Sequence, residues 1–533
     1  MWHFSPKSIL RQYVKPGAVL ISALCMLITP ALAQDKDEDK PIETITKAEL
    51  RDHIFYLGSD YLEGRMTGSN GYEQAARYIA SQLRSAGLIP VIKNREGVES
   101  YFQEIDFEIS SIASDSTLLI KKGQEETSFS FGEHFVHLLH GQSFKDGHYE
   151  GTPVFVGYGI EEPEDGWNDY ENIDVAGKIV VLVGGAPLKD GKPVLPEDKH
   201  KLYSNLMQGA SKRLLSAVSR KAAGLILVPD PQTAEMWSDL TPQMNRPSRR
   251  LKADERKDKI PFLPIFFLNL DAAAILLKET GFDPVSAKGE VKPTLLKGVT
   301  LSFDLKYEIE REFVCRNVVG FIPGSDTDLK DEYVVIGAHL DHLGVREEDV
   351  MNGADDNASG SAAILEAAEA AVMSPQRRSL FVVFFTGEER GGHGSYHFVE
   401  NFPFSLKDIK LAINVDMVGR NSEPFPDSVL GIAPHNLKRE LSEFIEKANM
   451  TIANAHLKTY AQEEDLGGYY GGSDEVMFFM RGIPAVLITS GYSHPDYHQP
   501  SDEPDKINYD RVREAARLIY ALAVSAANAE KLY

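Results

Sequence analysis

The chain is poor in cysteine and in positive charge. Only Cys25 and Cys315 stand among its 533 residues, too few for a disulfide framework, and loss of the first with a leader would leave no internal disulfide possible. The charges around Cys315 are mixed, Arg311 and Arg316 against Glu308, Glu310 and Glu312, so no electropositive setting is suggested and it reads as a small buried core residue and not as a reactive thiol. Lysine and arginine number 56 against 79 aspartates and glutamates, a formal net charge of −23. That sign repels nucleic acid and anionic membrane and argues against both as standing partners. Beyond residue 33 no apolar run approaches the roughly 20 residues needed to cross a bilayer. Internal repeats and low-complexity tracts are absent as well.

The remaining composition, 43% apolar and 25% charged, is that of folded globular domains. The length exceeds what one core usually organises, so two or three packed units are expected. At the amino end Lys7, Arg11 and Lys15 precede an apolar run over 17–29, and Ala31-Leu32-Ala33 supplies small residues at a cleavage point before Gln34. Residues 1–33 therefore read as a signal peptide. The expected product is exported, periplasmic or secreted, with no stable membrane insertion once the leader is cut. Lipid attachment at Cys25 is not expected, because the bulky Leu24 stands where lipoprotein leaders carry a small residue.

Residues 47–88 show helical spacing of apolar side chains, interrupted over 62–69. The second helix of the pair, 72–86, carries Ala75, Ala76, Ile79, Ala80 and Leu83 on one side and stops at Gly87. Arg65, in the interruption, is read either as a substrate contact or as part of a surface turn. From about 151 the pattern changes to short β-branched runs at 153–158, 178–183, 224–228 and 261–268, with a helical, basic stretch over 201–221. Beyond about 295 the rhythm becomes strand, loop, helix: strands are expected at 333–338, 380–386, 411–415 and 485–489, and an alanine-rich helix at 359–372. Continuous apolar runs alternating with helices predict an α/β fold, a central and largely parallel sheet flanked by helices. Sites in such sheets gather where the strands end.

Polar clusters follow these strands: His339-Leu340-Asp341-His342, Gly353-Ala354-Asp355-Asp356-Asn357-Ala358-Ser359-Gly360, Glu388-Glu389, and Asp416-Met417. A fifth, Tyr497-His498, lies near the carboxyl end. Any one alone is an ordinary loop or helix cap. Together they supply neutral imidazole and carboxylate, the donors that bind divalent zinc, and two such ions about 3.5–4 Å apart require an acid able to bridge them.

In this order the clusters resemble the M28 family of zinc peptidases, over about 45–120 and 295–525. The resemblance implies two zinc ions per chain, with His339 and Asp416 on one, Glu389 and His498 on the other, and Asp355 bridging. It further implies Glu388 as general base and Asp341 as the acid that orients the metal-binding imidazole of His339. Tyr497 is read either as a donor to the oxyanion, as the resemblance suggests, or as a packed aromatic. His342, His393, His397 and His494 are not recruited by the family pattern. The runs 154–159 and 173–180 are similar to the protease-associated domain, a β-rich module inserted in exported peptidases. The expected division is thus a signal peptide (1–33), an amino-terminal part of the peptidase domain (34–134), the insertion (135–294) and the zinc peptidase catalytic domain (295–533). The implied activity is aminopeptidase action on peptides. Carboxypeptidase or glutaminyl cyclase chemistry and a receptor-like binding protein are the alternatives. Two departures bear on the substrate: Arg390-Gly391-Gly392-His393 follows the paired glutamates, and Glu475 follows Ser473-Asp474 where the family commonly has histidine.

Overall fold

The computed structural model describes residues 40–137, 147–204, 206–252, 263–289, 291–421, 431–435, 439–448, 450, 472–490 and 494–532. The expected leader, 1–33, lies outside them. No helix among the described residues is long and apolar enough to cross a membrane.

An eight-stranded sheet organises the molecule. In chain order its strands are β1 (Phe102–Ile112), β2 (Ser248–Leu251), β3 (Tyr307–Ile322), β4 (Tyr333–His339), β5 (Ser379–Phe385), β6 (Ile409–Val415), β7 (Gly431–His435) and β8 (Ala485–Thr489). Across the sheet they run β2-β1-β3-β5-β4-β6-β8-β7. The central four, β5, β4, β6 and β8, are parallel, and the flanking pairings are antiparallel. Every residue of β4 and β5 is buried, as expected of strands covered on both faces. Gly337 in β4 leaves room for the Phe385 ring of β5, whose edge would lie 2.5 Å from a Cβ at that position.

Helices Lys47–Leu57, Asn70–Ala86, Gly360–Val372 and Tyr509–Asn528 pack with one another and with the sheet in one large core. The second begins two residues earlier than its spacing suggests, because the Ser69 hydroxyl accepts the Tyr72 N–H as an N-cap. It ends on Gly87 at φ +94°, a left-handed C-cap that glycine adopts without steric cost. The Gly360–Val372 helix is almost wholly buried, and its alanines let it lie close to the Tyr509–Asn528 helix.

A second core extends from Ile112 to Leu305, wider than the 135–294 expected. It holds a six-stranded sheet in which Pro153–Phe155, Ile179–Val183, Gly224–Val228 and Ile265–Leu268 are parallel neighbours. A four-stranded antiparallel sheet, Glu125–Ser130, Thr117–Lys122, Val299–Asp304 and His148–Gly151, joins it. One piece of this stretch leaves it: Ser248–Leu251 is the outermost strand, β2, of the eight-stranded sheet, beside β1.

Candidate metal centre

The clusters meet at the carboxyl ends of the parallel strands. His339 ends β4, Thr386-Gly387 carries the chain from β5 to the turn Glu388–Arg390, Asp416 follows β6, and the loop holding His494, Tyr497 and His498 comes after β8. The loop 353–359 is held against them by Asn357, whose Nδ2 donates to Val415 O at 2.9 Å and whose Oδ1 accepts the Met417 N–H at 3.2 Å. From the carboxyl-terminal side, Asp502 accepts the N–H groups of Asp355 and Asp356.

His339 Nδ1 donates to the carbonyl of Asp341 at 3.0 Å. In the neutral ring Nε2 is then a lone-pair donor, and it lies 3.2 Å from Asp416 Oδ1 and 3.2 Å from Asp356 Oδ1. On the other side of Asp356, its Oδ2 lies 3.1 Å from His498 Nε2, which is itself 3.4 Å from Glu389 Oε2. Asp356 is thus the one carboxylate common to both groups. The ligand atoms of His339, Asp356 and Asp416 fall within 4.8 Å of one another, as do those of His342, Asp356 and Glu389.

This corrects the expectation for Asp355. Its Oδ1 accepts the Gly419 N–H at 2.7 Å and the Ser359 hydroxyl at 3.1 Å, and its Oδ2 lies 3.2 Å from His494 Nε2. These contacts turn the Asp355 side chain into the packing between loops. The backbone is non-helical at Asp356 and Asn357, and there the Asp356 side chain, not that of Asp355, faces both imidazoles. Tandem acids conceal the distinction in the sequence.

Asp341 supports His339 through its backbone and not its side chain. The ring of His339 rests on its carbonyl, while its carboxylate accepts the Glu388 N–H at 3.1 Å and the Thr67 hydroxyl at 3.0 Å. It fixes the turn that presents Glu388 and Glu389. His342 was passed over in the sequence, three residues after His339, but is buried here with Nδ1 2.6 Å from Glu389 Oε1 and without hydrogen-bonding geometry between them. Glu389 lies 47 residues downstream, beyond the reach of local spacing. Arg65 proves to be neither surface turn nor substrate contact. Its guanidinium is buried and donates to the carbonyls of Leu57, Leu340, Asn352 and Gly353, joining the loops that carry His339 and Asp356. Tyr497 stacks on His498 with ring centroids 3.8 Å apart.

The electrostatics are those of too many buried carboxylates. Burial lowers the His339 pKa, but Asp416, Glu388 and Asp356 outweigh it and hold the imidazole well above its ordinary value. Burial, with Asp416, Asp474 and Glu389 adding to it against His339, pushes Glu388 well above the usual carboxylate range. Burial also raises His498's neighbour Tyr497, an effect reinforced by the Asp356 and Glu389 carboxylates. Imidazole nitrogens and carboxylate oxygens that converge within 4.8 Å of one another form a donor set that suits a divalent cation. The residues present therefore fit zinc.

The model of peptidase family M28 matches residues 317–523. A probable leucine aminopeptidase of Trichophyton verrucosum is 26% identical over 224 residues, 40% of this chain and 57% of that protein. Leucine aminopeptidase 1 of Arthroderma otae is 27% identical over 226 residues, 39% of this chain and 57% of that protein. The chain thus spans a little under three fifths of the length of these relatives. Among solved structures, an aminopeptidase from Aneurinibacillus sp. strain AM-1 is 19% identical with a TM-score of 0.49, covering 93% of this chain and 97% of that one. A zinc aminopeptidase from Bacillus subtilis is 18% identical with a TM-score of 0.46, covering 92% and 97%. The residues matched by the model of peptidase family M28, 317–523, include His339, Asp356, Glu388, Glu389, Asp416 and His498.

Proposed function

We propose that the protein is a dinuclear zinc aminopeptidase that removes amino-terminal residues from peptides. The observation that carries this reading is the shared carboxylate: Asp356 stands between His339 and Asp416 on one side and Glu389 and His498 on the other. His339, Asp356 and Asp416 would hold one zinc, and Asp356, Glu389 and His498 the second. His342 backs Glu389. Bound zinc supplies Lewis-acid polarisation of a carbonyl and makes water acidic enough to lose a proton near neutral pH.

Glu388 precedes a ligand but is not needed as one, and its backbone is pinned by Asp341. Its carboxylate takes the proton of the attacking water and returns it to the departing amine. The raised proton affinity that burial gives Glu388 strengthens it as the base of the first transfer. Tyr497, packed on His498, orients that imidazole. Leucine aminopeptidases among the relatives support action at the amino end. The stretch around the second core takes the place of a protease-associated insertion in this reading, and the leader expected over 1–33 would put the activity outside the cytoplasm.

The test is hydrolysis of matched peptides with free and blocked amino termini, with zinc content measured in parallel. Two zinc ions per chain and cleavage of the free-amine peptides alone are expected. One zinc with cyclisation of amino-terminal glutamine would favour the glutaminyl cyclase alternative, and cleavage from the carboxyl end would reverse the direction.

A further inference from the structure

In a chain with a net charge of −23, arginines gather near the turn Glu388–Arg390. Strand β2 brings Arg249 there from the second core. Arg249 is paired across the sheet with Ile109 of β1, and Ile109 is paired on its other side with Arg311 of β3. Paired residues share a sheet face, so the two arginines flank Ile109 on the same side. Two residues along, that face carries Phe107 and Phe313, stacked with centroids 5.5 Å apart. Phe107 sets its ring against His393, 5.7 Å away, and so the face looks toward the turn Glu388–Arg390, which strand β2 also touches. Arg390 follows ligand Glu389 directly, and Arg346 ends the strand Gly344–Arg346 just after His342.

The neighbouring Arg250 also has a buried Nε, and a buried Nη1, without a hydrogen-bond partner, but it carries an ion pair. It lies on the opposite face, buried, paired with Glu108 and placed over the Tyr307 ring at 3.8 Å. Arg249, Arg346 and Arg390 make no ion pair among the described residues, and the Nε of Arg249 is buried without a hydrogen-bond partner. Arg249 is partly buried, and an N–H withdrawn from water and left without an acceptor is costly. Burial, then Arg390 and Arg311, lower the Arg249 pKa to about 10, and burial, then Arg390, lower that of Arg346 against the opposing Glu389 carboxylate. The like charges feel one another, and an anion set among them would relieve the repulsion with forked, charge-assisted hydrogen bonds.

We propose that Arg249, Arg311, Arg346 and Arg390 bind a carboxylate of the peptide substrate, so that peptides carrying an anionic group close to the scissile bond are preferred. This rests on the peptidase reading above and adds a substrate class to it. The carboxylate has two possible sources, an acidic side chain or the free carboxyl end of a short peptide.

The experiment uses the full-length, zinc-loaded Glu388→Gln protein and isothermal titration with peptides it binds but does not turn over. One arm compares Leu-Glu-Ala amide with Leu-Gln-Ala amide, the other Leu-Ala with Leu-Ala amide. The carboxylate ligand should bind about tenfold more tightly in at least one arm, the size of one good charge-assisted contact, and the advantage should shrink with added salt. Which arm shows it identifies the source. Adding Arg346→Gln, on an exposed strand end, or Arg249→Gln should reduce the ratio to under about threefold, with the neutral ligand in each variant as the internal reference. Equal affinities in both arms, or a ratio untouched by either substitution, overturn the inference while peptide hydrolysis by the unsubstituted protein still stands. If the unsubstituted protein cleaves none of the four peptides, the peptidase reading fails, and this inference with it.

Discussion

The two cores treat buried charge in opposite ways. Within the stretch from Ile112 to Leu305 the buried groups Glu162, Asp169 and Arg213 each have hydrogen-bonding partners close by. Glu162 accepts from Lys199, Lys212 and Tyr203, Asp169 accepts the Ile160 N–H and the Trp167 indole, and Arg213 donates to the carbonyls of Tyr158, Gly185 and Tyr203. At the end of the parallel strands Asp356, Glu388, Glu389 and Asp416 crowd around His339 and His498, acid beside acid. Satisfied charges hold a fold together, and a surplus of one sign is affordable only where a cation is to be bound. The difference separates scaffold from chemistry without reference to any relative.

Substitutions can sharpen the contrast. The largest effect is expected for Glu388→Gln, which keeps shape but cannot accept the water proton. Turnover should fall by about 10² to 10⁴ while zinc content, measured by atomic absorption, stays at the unsubstituted level. Loss of zinc in step with activity would make Glu388 a ligand. Next comes Arg65→Met. It strips four buried carbonyls of a charged donor, so stability in urea titration should drop by about 3–5 kcal/mol. Zinc affinity should fall as well, since the loops it joins carry His339 and Asp356. A variant as stable as the parent would show that these carbonyls find other partners.

The smallest effect belongs to the second core. Lys199, Tyr203 and Lys212 hold the Glu162 pKa below its ordinary 4.5 against the opposing effect of burial. A depressed carboxylate contributes stability above its unfolded pKa and loses it as pH falls through the folded value. The unsubstituted protein should therefore lose stability in this region below about pH 4.5, and Glu162→Gln should flatten that part of the acid limb. Besides Trp2, the tryptophans are Trp167 and Trp237, both within the second core's stretch, so intrinsic fluorescence of the chain freed of its leader reports on that region. An acid limb of identical slope in both proteins would mean that the Glu162 cluster carries no linkage.

Legibility followed burial. Strands β4, β5, β6 and β8 were readable as continuous apolar runs because both their faces are covered, and the buried helix Gly360–Val372 announced itself through its alanines. Strand β3 was not readable: its first half, Tyr307-Glu308-Ile309-Glu310-Arg311-Glu312, is largely exposed and charged, so neither an apolar run nor a clean alternation marks it. Strand β2 is four residues long at the sheet edge with two arginines, and only its pairing with β1 makes it a strand. In the site, clusters at strand ends were legible because chemistry-bearing residues stand where apolar runs stop. The choice between Asp355 and Asp356 was not, since it depends on the dihedral angles of a single turn. Nor was the tie between Arg65 and the loop at 352–353, which joins carbonyls far apart in the chain.

In the proposed dinuclear centre Asp356, and not its neighbour, is shared by two metal ions. Zinc stoichiometry of folded Asp356→Asn and Asp355→Asn proteins, each dialysed against the same free zinc, tests it most directly. The amide keeps the size of each side chain but removes an anionic oxygen. Asp356→Asn should retain well under half the zinc of the unsubstituted protein, because both positions lose a ligand, while Asp355→Asn retains nearly all of it. The reverse pattern, or equal loss in the two proteins, would contradict the account.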